Sequence, residues 1–190
     1  ATHGTALDVG SRVPELSLSI LDRPRQVGGL HIDFFPTSHD APGSVGYRVA
    51  GDGMRFVLCT DLGCLSQPVL DAAWGIDLLI AEANHDVEWV RSGPYPYYLQ
   101  ERILGKYGHL SNEAGAELAE LAARGGAQAV VLAHLSQENN TPARARETVA
   151  RTLEGAGFPV HLSVAPVQER GPVFRLEHGR VAVLEEIVLC

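Results

Sequence analysis

Three side chains of metal-binding type stand at the ends of apolar runs. They are His39 in Ser38-His39-Asp40, Asp61 in Thr60-Asp61-Leu62-Gly63 and His134 in Ala133-His134-Leu135-Ser136. A neutral imidazole is a good ligand for zinc, manganese or iron. A carboxylate turns its two oxygens in different directions and can bridge two ions. Each residue also has a plainer reading: His39 as a hydrogen-bonded turn histidine, Asp61 as a turn or cap aspartate, His134 as a strand-end histidine. In every case an apolar strand leads up to the residue and the chain then turns polar. Strand ends in a layered α/β fold meet on one rim, so residues far apart in sequence can converge there. Three ligands are nevertheless too few for a two-metal centre.

Two further polar clusters lie beside these. Glu82-Ala83-Asn84-His85-Asp86 ends an apolar run, and Gly108-His109-Leu110-Ser111-Asn112 opens a helix. Helix N-termini attract anions such as phosphate. His109 is placed to touch substrate or to protonate a leaving group; the plainer alternative is that His109 and Asn112 only shape the cap. His3, His31, His161 and His178 read as ordinary surface or strand histidines. Arg91, Arg102, Lys106 and Arg124 mark a moderately basic helical region, either a solvated face or a guide for phosphates.

The elements that must carry these residues follow from patterning. Strands are expected over 16–21, 30–36, 45–50, 54–60, 76–83, 127–133, 160–165 and 173–184. Gly51-Asp52-Gly53 is a hairpin turn. Residues 87–106 read as one or two helices broken at Gly93-Pro94. A clearer helix spans 111–124, capped by Ser111 and ended by Gly125-Gly126. Another opens at Thr141-Pro142 and stops at Gly155-Ala156-Gly157. A meander followed by alternating strands and helices indicates an α/β layered sandwich.

Composition narrows the class. The chain has 190 residues, 45% of them hydrophobic, which suits one domain with its own core. No run approaches the roughly 18 apolar residues of a membrane helix, and no charged-then-apolar leader opens the chain. A net charge of -8 disfavours a broad basic surface coating a nucleic acid. Bound metal ions would still add local positive charge. Cys59, Cys64 and Cys190 lack zinc-finger spacing, and so sparse a set suits a reducing, cytoplasmic setting.

Longer motifs join these pieces: Glu82-Ala83-Asn84-His85-Asp86, Gly93-Pro94-Tyr95-Pro96-Tyr97-Tyr98-Leu99, Gly108-His109-Leu110-Ser111-Asn112 and His134-Leu135-Ser136-Gln137-Glu138-Asn139-Asn140-Thr141. With Ser38-His39-Asp40 and Thr60-Asp61-Leu62-Gly63 they resemble the metallo-β-lactamase fold, most closely the YycJ/WalJ-like bacterial metallo-hydrolases. The resemblance implies an αββα four-layer sandwich in a single domain over 1–190. It implies His39 on one metal, Asp61 bridging both and His134 on the second. Two divalent ions are implied, zinc or manganese with iron also suited, together with a water activated between them. Catalysis falls to Asp61 and His109, and substrate contacts to His109, Ser111, Asn112 and Asn84. The implied substrate is a phosphodiester, DNA cut by an exonuclease, with no membrane partner.

The family's His-x-His-x-Asp-His motif does not occur, and Ala1-Thr2-His3-Gly4-Thr5 resembles the segment just after it. The expectation is a domain truncated at its N-terminus, without its first strands and main metal motif. Such a chain would be inactive alone, would bind two metals weakly or not at all, and would leave a sheet open to association. Two alternatives stand beside this reading. One is a hydrolase of small phosphodiesters, lactones or thioesters. The other is a non-catalytic remnant domain.

Overall fold

The structure, a computed structural model, describes residues 1–13 and 15–184. Alternating apolar residues build its main sheet. β1 (Arg25–Val27), β2 (Leu30–Pro36), β3 (Val45–Gly51) and β4 (Met54–Cys59) form an antiparallel meander. Its tight turns, Gly28-Gly29 and Asp52-Gly53, both run through positive φ, which glycine adopts freely and aspartate tolerates. β5 (Leu78–Glu82), β6 (Ala129–Ala133) and β7 (His161–Val164) continue the sheet parallel to β4. The seven strands lie in chain order.

Parallel neighbours need crossovers, and helices supply them. After α1 (His3–Arg12), α2 (Gln67–Ala73) joins β4 to β5. α3 (Val87–Ser92), α4 (Tyr97–Leu104) and α5 (Asn112–Arg124) join β5 to β6, and α6 (Pro142–Gly155) joins β6 to β7. Caps set the helix starts as the sequence indicates. Ser111 accepts from the Ala114 N–H and Thr141 from the Arg144 N–H, each cap worth roughly 1 kcal/mol.

The pleat divides the core in two. Leu79 and Ala81 of β5 pack with Val69, Leu118 and Val149 of the helices. Leu78 and Ile80 face the other way, against Phe174, Leu176 and Val181. Those last residues belong to a separate hairpin, β8 (Val173–Glu177) and β9 (Arg180–Leu184). Full burial of each Leu or Val contributes roughly 1.5–3 kcal/mol. Three of the four expected layers, helix, sheet and hairpin, therefore occur among the described residues. Phe34, Tyr47 and Leu58 register across β2, β3 and β4 on the hairpin face, with Leu58 exposed.

Several expectations need correction. Residues 16–21 alternate as a strand does but form none. Their backbone bonds only Val13, Ala1 and the Arg25 side chain, and pairs with no strand, so no ladder forms. Residues 173–184 are not closing strands of the main sheet; they pair with each other. α1, α2 and β1 went unforeseen. Two glycines obscure the pattern of α1, while α2 and β1 are too short to show a period. Cys190 lies outside the described residues, and Cys59 and Cys64 are free.

Candidate metal centre

The parallel run sets the C-terminal ends of β4, β5 and β6 side by side, where open α/β sheets bind ligands. Asp61, Glu82 and His134 stand at those ends. β2 points the same way as β4, since both are antiparallel to β3, so the loop after it brings His39 to the same rim. His109 arrives from the loop between α4 and α5. Gly63 allows the close approach, because a Cβ there would meet the Gly108 nitrogen at 2.5 Å.

Asp61 and His134 both adopt left-handed backbone, at φ 59° and 55°. For a residue with a Cβ this costs on the order of 1–2 kcal/mol, and such strain gathers at functional sites. His39 Nε2 lies 3.7 Å from Asp61 Oδ1, and His134 Nε2 lies 3.6 Å from the same oxygen. His39 Nδ1 is 3.0 Å from the Gly108 carbonyl oxygen. A carbonyl only accepts, so Nδ1 carries the hydrogen and Nε2 turns its lone pair to Asp61. His109 sits between the other two rings, with centroids 5.0 Å from His39 and 5.2 Å from His134.

Glu82 organises this cluster from below and has no exposed surface. Its Oε1 accepts from the Leu62 and Leu110 N–H groups at 3.0 and 2.9 Å. Its Oε2 accepts from Asp61 N–H at 3.2 Å, His109 Nδ1 at 3.1 Å and His134 Nδ1 at 3.2 Å. Burial alone would raise its pKa. The two histidine bonds and two backbone bonds outweigh burial and hold it at about 2, against an ordinary 4.5. The bond to Glu82 raises His134 above its ordinary value, against the effect of burial. Burial pushes the Cys59 thiol up to about 12, so Cys59 is a small apolar residue here.

The donor chemistry fits divalent cations. Two sets of ligand atoms gather within 4.8 Å, one from His39, Asp61 and His109 and the other from Glu82, His109 and His134. Glu82 already meets five donors with about four lone-pair directions, which makes it an orienting group. Donors sharing an ion at ~2 Å stand roughly 3–3.5 Å apart, close to the spacing around Asp61. A cation would take the place of the proton that these carboxylates favour on His134.

The remaining sequence candidates have other partners. Ser111 caps α5. Asn84 is buried and donates to the His134 carbonyl at 2.6 Å. Asn112 has no exposed surface, and its amide exchanges bonds with Asn140. Substrate contact at Asn112 is corrected accordingly: the side chain ties α5 to the loop after β6. His3, His31, His161 and His178 are exposed. The role of Glu82 was not foreseen. Its signal was a lone carboxylate closing the apolar strand Leu78–Glu82, with a buried alanine following.

A pH dependence follows from Glu82. A carboxylate with a depressed folded pKa stabilises the fold above its unfolded pKa and loses that effect as pH falls through the folded value. In chelator, Glu82 is expected to contribute roughly 3 kcal/mol at pH 5 and to lose it between about pH 4.5 and 2. Chemical denaturation across that window measures it, and a flat profile would refute the assignment. His134 carries the opposite sign: its share is present in full below its ordinary pKa and fades as pH rises through the elevated one.

Comparison with known proteins agrees with this architecture. The chain is 39% identical over 140 residues to the exodeoxyribonuclease WalJ of Streptococcus pneumoniae, covering 74% of this chain and 52% of that protein. It is 35% identical over 133 residues to the exodeoxyribonuclease YycJ of Bacillus anthracis, covering 70% and 50%. The chain thus spans about half the length of these relatives. The crystal structure of the metallo-β-lactamase fold protein YhfI from Bacillus subtilis superposes with a TM-score of 0.56 at 19% identity, over 76% of this chain and 50% of that one. That likeness speaks for the fold alone. Residues 6–135 match the family model described as the beta-lactamase superfamily domain, and the chain belongs to that family.

Proposed function

We propose that this rim hydrolyses phosphodiester bonds with divalent metal ions, and that its substrate is DNA cut from an end. The observation that carries the reading is Asp61 Oδ1 standing between the Nε2 atoms of His39 and His134. The exodeoxyribonuclease relatives supply the substrate class. His39 and Asp61 would hold one ion, and Asp61 and His134 a second. Zinc and manganese suit these ligands, and iron is also compatible. Ions so held polarise a phosphoryl oxygen and acidify a water.

The chain's own groups do the rest. Glu82 accepts the Nδ1 hydrogen of His109; the imidazolium form, with a second hydrogen on Nε2, would give that hydrogen to the departing oxygen and return to the neutral ring. Asn84, through the His134 carbonyl, and Ser111, through the start of α5, keep the rim in place for substrate. Cavities of about 400 Å³ beside His109 and about 520 Å³ beside His134 leave room on both flanks. No helix among the described residues is long and apolar enough to cross a membrane. Two free cysteines favour work in the cytoplasm.

The test is a substrate panel with and without chelator: single- and double-stranded DNA, bis(4-nitrophenyl) phosphate, a lactone and a thioester. In a protein that carries the complete set of metal ligands, DNA cleavage that needs added manganese or zinc, and falls about a hundredfold or more in His109→Ala, is the expected result. Metal-dependent turnover of the lactone or thioester with DNA untouched would move the assignment to small-molecule hydrolysis. Absence of metal-dependent turnover on every substrate would leave the non-catalytic reading.

A further inference from the structure

We propose that Tyr97, Tyr98 and Tyr107 form a stacking platform for unpaired bases, holding a single-stranded DNA end whose phosphodiester lies at the His39–Asp61–His134 rim. The proposal rests on the reading above and adds how the substrate is gripped. Tyr97 is 75% exposed, Tyr98 73% and Tyr107 52%. Tyrosine carries a large apolar ring, and three such rings stand exposed on α4 and the loop just after it.

The segment carrying the rings is firmly held although α4 buries no side chain fully. Pro94 and Pro96 restrict the backbone at its entry. The Arg102 guanidinium bonds Asp40 Oδ2 at 2.7 Å through two nitrogens, and Ser38 Oγ donates to the Lys106 carbonyl at 2.6 Å. Both anchors flank His39. A cavity of about 110 Å³, lined by Tyr107, Arg102, Leu99, His39 and His109, joins Tyr107 to the rim. An exposed aromatic ring beside the rim suits a ligand with flat faces.

Charge selects stacking over phosphate contact. Arg102 pairs with Asp40, and Arg91 lies 3.6 Å from Glu88. Lys106 Nζ stands 4.8 Å from the Tyr107 ring centre, where a cation strengthens the ring face. With a net charge of -8 on the chain, little positive charge remains to draw in a duplex backbone. Bases in a duplex already stack on one another, so only unpaired bases can lie on tyrosine. Such stacking contributes about 1–3 kcal/mol per base.

Fluorescence anisotropy in chelator tests this with a labelled oligothymidylate and a blunt duplex. The wild-type protein is expected to prefer the single strand, with only a shallow salt dependence. The Tyr97→Ala/Tyr98→Ala/Tyr107→Ala triple variant is expected to weaken single-strand binding at least about fivefold. The corresponding triple Phe variant keeps the rings and is expected to bind as wild type, which separates stacking from a folding defect. Unchanged binding by the Ala variant, equal loss in the Phe variant, or a wild-type preference for the blunt duplex overturns the platform. Turnover of bis(4-nitrophenyl) phosphate by the wild-type protein reads the hydrolase assignment separately. Turnover with unaltered binding in the Ala variant defeats only the platform. The expected binding pattern without turnover defeats only the hydrolase.

Discussion

Glu82→Gln is expected to destabilise the metal-free protein by roughly 3–5 kcal/mol, lowering its melting temperature on the order of 10 °C for a chain of this size. The buried carboxylate meets donors from Asp61, Leu62, Leu110, His109 and His134. An amide of the same shape has one oxygen in place of two and turns an NH₂ group towards N–H donors. Buried donors are then left without acceptors, each costing about 1–3 kcal/mol. The effect should reach the rim as well. His109 and His134 would lose the group that holds their Nδ1 hydrogens, and loss of such a partner typically weakens metal binding or activity about 10- to 100-fold. Scanning calorimetry in chelator measures the first effect, and metal titration the second. A melting temperature close to wild type would show that the cluster does not hang on Glu82.

Asp61→Asn should have the opposite profile, with the fold intact and the chemistry gone. Asparagine tolerates the positive φ found at this position, and an amide oxygen can still accept from Thr60 Oγ1, which now bonds Asp61 Oδ2 at 2.9 Å. What disappears is the negative charge between His39 Nε2 and His134 Nε2. Several kcal/mol of metal-borne stabilisation correspond to about a thousandfold in rate. The expected result is an unchanged melting temperature in chelator, with metal-dependent phosphodiester hydrolysis down by about that factor. Full metal-dependent activity in Asp61→Asn, and likewise in His39→Ala, would sink the proposed centre.

These two residues also mark how far sequence reasoning reaches. Asp61 was visible as a polar residue closing the apolar strand Met54–Cys59. Glu82 closes Leu78–Glu82 in the same way, yet its importance lay in the number of donors that reach it, and those come from three other segments. Asn112 shows the converse error. A polar residue opening a helix looks available to substrate, but here it is wholly enclosed and bonded to Asn140. Residues 16–21 alternate like a strand and lack a neighbour to pair with.

Local patterning was enough to indicate the α/β layered class, the caps at Ser111 and Thr141, and the strand-end positions of His39, Asp61 and His134. Strand periodicity, cap chemistry and helix stops act over a few residues, so they can be read in one dimension. The folded chain was needed to show that β2 points the same way as β4, that Asp61 and His134 each take left-handed backbone, and that Glu82 bonds two of the three clustered imidazoles. Burial, hydrogen-bond saturation and the side of a ring that faces a neighbour depend on contacts between distant segments, and those exist only once the sheet has closed its register.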